Sequence, residues 1–150
     1  YNTEGNLIRS TSFINATGLS TSYTTYQYLT NEIRTTTYNA SNVVTSSTLY
    51  TLSADGKNIT EIKNYNSVGG LKNRATYSNF DNKNNHTRLY PKGYGTGIIS
   101  ANNYLTVVYF NAEIGTTSTT NYTFEYNAEG YHTNSVMVGS NTDTFEYINK

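Results

Sequence analysis

Aliphatic bulk is what this chain lacks. Leu, Ile, Val and Phe supply only 29 of its 150 residues, a share at which those residues alone would leave a chain short of the buried surface that folding requires. Sixteen tyrosines change the outcome, raising the bulky set to 45 residues. A core here therefore needs tyrosine rings, each with a hydroxyl that must reach a partner or water. The charge balance agrees with folding: ten Lys and Arg face ten Asp and Glu, without the net self-repulsion of disordered segments.

What surrounds the tyrosines points to β structure. Thr, Asn and Ser number 26, 22 and 14; Thr and Tyr favour strands, Asn and Gly favour turns. No window of a dozen residues holds apolar side chains at helical spacing, whereas Tyr122, Phe124 and Tyr126 alternate with Thr123, Glu125 and Asn127, and Tyr26 and Tyr28 flank Gln27. Alternation of this kind marks half-buried antiparallel strands. Gly5, Gly56 and Gly130 each follow an acid and stand four residues after a bulky side chain (Tyr1, Leu52 and Tyr126), and Phe80-Asp81-Asn82-Lys83-Asn84 is a degenerate fourth copy. The arrangement suits a type I turn closed by a left-handed residue, a role Gly takes freely and Asn84 could tolerate. The glycines have no fixed period, which disfavours a solenoid or propeller.

Thr123-Phe124-Glu125-Tyr126 recurs as Thr144-Phe145-Glu146-Tyr147, an offset that predicts a C-terminal meander with the two copies parallel and one strand apart. Tyr104–Phe110 reads as a further strand. Between Asp81 and Asn103 lies the longest irregular piece, with the only proline, Pro91, and it is the first place to look for a functional loop. The expectation is a single all-β domain over residues 1–150: an antiparallel meander of about ten strands, closed as a barrel or strongly curved, and soluble.

The same composition excludes several functions. Without a basic run or net positive charge there is no footprint for nucleic acid or an anionic membrane. The longest apolar stretch, Val107–Phe110, falls far short of the ~20 residues of a membrane-spanning helix. The absence of Cys removes disulfides as a guide to compartment.

Tyr-Asn-x-(Glu/Asp)-Gly followed by a polar strand is similar to the YD-type hairpin repeat. The order Phe80-Asp81-Asn82-Lys83, Asn102-Asn103, then Tyr122 to Tyr131 resembles a family of secreted Bacteroidetes lipoproteins of unknown function with a porin-like β fold. The resemblance implies a cell-envelope location, periplasmic or at the outer-membrane surface, with a lipid anchor upstream of Tyr1. It brings no catalytic residues, and where the family carries Pro soon after the Phe-Asp-x-Lys stretch this chain has Asn85 or His86. The outward faces, rich in Thr, Asn, Gln and Glu, argue against a barrel embedded in lipid.

Chemistry-bearing candidates are few. Glu125 and Glu146 form the best acid pair, about 10 Å apart if they share a face one strand removed, a spacing near that of inverting glycosidases. Both fall opposite the aromatic face, in water. His86 and His132 have no metal-ligand spacing, and Asp81–Asn85 carries Lys83 where a calcium loop needs oxygen. No cofactor, metal or catalytic residue is expected. Ligand-binding candidates are His86, Tyr90, Tyr94, Asn102 and Asn103, with a glycan, peptide or protein as partner. A glycan-acting hydrolase using paired carboxylates, or a fragment of a larger YD-repeat surface protein, is the alternative.

Overall fold

A computed structural model describes residues 1–14, 18–85, 100–138 and 142–144. These form one antiparallel sheet of ten strands in chain order. The strands are β1 (Arg9–Phe13), β2 (Ser20–Leu29), β3 (Glu32–Asn39), β4 (Val44–Leu52), β5 (Ile59–Asn66), β6 (Leu71–Phe80), β7 (Tyr104–Asn111), β8 (Thr116–Tyr126), β9 (His132–Met137) and β10 (Thr142–Thr144). The expected all-β meander is thus what the chain forms. Among the described residues β1 and β10 do not pair, so the sheet is open.

The expected alternation is present. Along β8, Tyr122, Phe124 and Tyr126 are half-buried while Asn121, Thr123 and Glu125 are exposed. β8 and β10 both pair with β9 and so run parallel, as the repeat predicts. The register differs from the repeat, however, because Glu125 aligns through Asn134 with Thr144. Glu146 lies outside the described residues.

Turn chemistry is more uniform than the acid-before-glycine signature implied. Gly5, Gly56 and Gly130 are left-handed, at φ +79°, +71° and +80°. Asn84, the fourth expected case, is not among the left-handed residues; it bridges Tyr131 in parallel instead of closing a hairpin. A different sequence unit recurs: Tyr-Asn-x-x-(Gly/Asn), at Tyr1, Tyr38, Tyr65 and Tyr126. In each copy the Asn side-chain oxygen accepts the backbone N–H four residues on, at 2.8 Å from Asn6, 3.0 Å from Val43, 2.8 Å from Gly70 and 2.9 Å from Tyr131. An asparagine that closes its own turn in this way replaces bonds the ladder cannot supply.

The residue ahead of three of these four turns sits at a bulge. Pairing shifts at Thr37/Tyr38, Asn64/Tyr65 and Glu125/Tyr126, and likewise at Thr51/Leu52, where Ser53 stands in for Asn. Bulges increase local twist and re-aim a side chain, so the turn unit both bends the sheet and sets the direction of its leading ring.

Tyrosine carries the packing, but less deeply than composition implied. Only Tyr50 and Ile59 are buried apolar residues, and no large side chain is fully buried among the described residues. A single layer explains this, since a ring on an open sheet is covered by its neighbours on that sheet and by no facing layer. One aromatic cluster chains Tyr77, Tyr104, Tyr122 and Phe124 with centroids 4.6, 5.6 and 6.1 Å apart.

Candidate functional site

Two features organise the molecule, one at each end of the strands. The first is a strap. Residues 81–85 and 100–103, the described parts of the β6–β7 connection, tie the β4–β5 hairpin to the β8–β9 hairpin. Ala101 N donates to Lys57 O at 2.9 Å, and Ile59 N donates to the Ser100 hydroxyl at 2.9 Å. On the opposite side Asn84 N donates to Gly130 O at 3.1 Å.

Asp81 fixes the strap internally. Its carboxylate accepts from Lys83 N at 3.0 Å, from Asn103 N at 3.2 Å, from Asn103 Nδ2 at 3.1 Å and from the Tyr126 hydroxyl. Burial, then the hydrogen bond to Asp81, pushes the Tyr126 hydroxyl well above its ordinary pKa.

Asn102 and Asn103, expected as ligand contacts, are engaged here. Asn103 is 4% exposed. Asn102 exchanges bonds with Asn58, receiving 3.1 Å from Asn58 Nδ2 and donating its backbone N–H to Asn58 Oδ1 at 2.9 Å, while its amide donates to Lys83 O at 3.0 Å. His86, Tyr90 and Tyr94 lie outside the described residues. His132, which opens β9, is 3% exposed and packs its ring 5.1 Å from Phe124.

The second feature is a cleft of about 720 Å³ across β2 to β5, roofed at one end by Gly69 of the β5–β6 turn. Cross-strand register builds its floor: Thr25, Thr36 and Ser47 are successive neighbours in one row, so three short hydroxylated side chains stand where larger ones would fill the space. Tyr65 extends that row. Tyr38 lines the cleft beside it, held by its ring stack on Tyr23 with centroids 4.7 Å apart. Gln27, Arg34 and Leu49 form the adjoining row. Both rim tyrosines belong to Tyr-Asn turn units, so the bulge that ends each strand also aims a ring at the cleft.

Sequence reasoning missed this cleft, although a signal existed. Tyr38-Asn39 and Tyr65-Asn66 carry the same turn unit as Tyr1-Asn2 and Tyr126-Asn127, but lack the acid before the left-handed residue.

Among the described residues carboxylates do not gather. Glu125 is exposed, with Asn134 Nδ2 at 3.5 Å as its contact. Glu61 is held by Lys63 at 2.5 Å, with Arg74 3.9 Å away. Among the described residues no three His, Cys, Asp or Glu side chains cluster as metal ligands would, and no helix is long and apolar enough to cross a membrane. Comparison with protein-family models, with curated proteins and with solved structures gives no match.

Proposed function

We propose that this chain is a non-catalytic binding domain that holds a glycan in the β2–β5 cleft. The observation that carries the reading is the pairing of two tyrosine rings, Tyr38 and Tyr65, with a floor of hydroxyls from Thr25, Thr36 and Ser47. A sugar presents apolar C–H faces and a rim of hydroxyls, and needs both kinds of surface. The cleft falls within the ~300–1,000 Å³ of small-molecule sites. Register puts Tyr38 and Tyr65 two strands apart, roughly 10 Å across the sheet, a span suited to an oligosaccharide more than to one ring.

Location is part of the proposal. A chain with 20 charged residues and 62 Thr, Asn and Ser suits the cell surface or periplasm, where the resemblance to envelope lipoproteins would put it, with a lipid as tether.

The test is a glycan array followed by calorimetry on the best ligand, using the whole 150-residue chain. Tyr65→Ala should weaken binding about tenfold, corresponding to roughly 1.4 kcal/mol. Absence of binding at millimolar glycan would end the reading, and release of new reducing ends from a bound glycan would replace it with the hydrolase alternative.

A further inference from the structure

We infer that the cleft selects an acidic oligosaccharide, one bearing carboxylate or sulfate groups; this rests on the glycan reading above. Charge on that face is arranged to favour such a ligand. Register sets Gln27, Arg34, Leu49, Lys63 and Arg74 in one row across β2 to β6. This row adjoins the hydroxyl floor of Thr25, Thr36 and Ser47. Three of its five members are cations, and Arg34 lines the cleft itself.

The carboxylates stand one row farther off. Glu32 and Glu61 belong to the row of Leu29 and Thr51, reaching back to Arg34 at 3.1 Å and to Lys63 at 2.5 Å. On the other side of the floor, the Arg9 guanidinium lies 4.0 Å over the Tyr23 ring, which stacks on Tyr38.

Seen from the floor, the near groups are therefore cationic and the acids are behind them. Four cations against two carboxylates leave this face positive within a chain whose total charge is zero. Arg34 keeps 54% of its side chain exposed and Arg74 keeps 44%, so both guanidiniums can meet a ligand. A guanidinium fork matches a carboxylate or sulfate with paired donors. A neutral sugar would draw only ordinary hydrogen bonds from this row, whereas an acidic one extending over Leu49 would draw the stronger charge-assisted ones.

The experiment compares each acidic glycan bound on the array with its uncharged counterpart, by calorimetry. A galacturonate hexamer is set against its methyl ester, and a sulfated galactan hexamer against its desulfated form. Acidic members should bind about tenfold tighter at low salt, with the preference shrinking as sodium chloride is raised through the range where the Debye length falls from about 10 to about 3 Å.

Arg34→Gln should reduce the acidic-to-neutral ratio, and Glu32→Gln, which releases Arg34 from its partner, should increase it. Thermal melts establish that both variants fold. Equal or tighter binding of the neutral members would overturn the acidic preference and leave the glycan reading standing. Binding of neither member of any pair would remove both.

Discussion

At the scale of single residues, tyrosine does two jobs that composition cannot separate. Some rings supply packing: Tyr104 sits between Tyr77 and Tyr122, and burial, with those two hydroxyls nearby, raises its pKa to about 12. Tyr77 and Tyr126 are raised for the same first reason, burial. Unfolded tyrosine titrates near 10. Between about pH 10 and pH 12 the unfolded chain loses these protons while the folded chain keeps them, so stability is full below pH 10 and falls as pH rises through that window. Urea melts at pH 9 and pH 11.5 should show the loss, and the tyrosinate absorbance of the folded protein should rise in two phases. A single phase centred near pH 10, with unchanged stability, would contradict the packing described for Tyr104. Other rings, Tyr38 and Tyr65, line the cleft instead. Their sequence neighbours distinguish them better than their identity does, because each precedes an Asn that closes a turn.

At the scale of elements, the meander was legible and the reason for its turns only partly so. Alternation in Tyr122–Tyr126 and the repeated Thr-Phe-Glu-Tyr placed β8 and β10 correctly as parallel strands around one neighbour. The acid before each glycine drew attention at Gly5 and Gly130, yet the preceding Asn makes the closing bond in both turns. Reading the acid as essential hid Asn39–Asn42 and Asn66–Gly69 and promoted Asn84 to a role it does not have. Gly69, at φ +82° with nothing within 4 Å of a Cβ, occupies the place that Asn42 fills at φ +62°. Gly69→Ala should therefore cost about 1 kcal/mol from backbone strain alone, and Gly69→Asn only a few tenths. Asn66→Ala, which loses the bonds to Val68 N and Gly70 N, should cost about as much as Gly69→Ala. Equal losses for Gly69→Ala and Gly69→Asn in urea melts would discredit the shared turn geometry.

At the scale of the whole molecule, a one-layer sheet has a weakness that the strap addresses. Among the described residues nearly all contact between strands is between neighbours in the meander, so without another tie the β4–β5 hairpin and the β8–β9 hairpin would open largely independently. Three strands separate β5 from β9 in the sheet order. The segment 81–103 could be marked from sequence as irregular and long, but the bracing role of residues 81–85 and 100–103 was not visible, because their partners Lys57, Asn58, Glu129 and Gly130 are scattered along the chain. Asp81 holds the strap together through four donors, and replacing its carboxylate by an amide turns an acceptor toward Asn103 or Tyr126 into a donor. Asp81→Asn should thus cost about 1.5–3 kcal/mol. The diagnostic lies in where protection is lost. Amide exchange should accelerate at Ile59 and Tyr131, on two hairpins that share no strand pairing, by a similar factor, while Thr25 and Thr36, on β2 and β3 outside both hairpins, change much less. Faster exchange confined to the β8–β9 hairpin would mean that Asp81 merely anchors Tyr126, and that the two hairpins owe their coupling to the sheet between them.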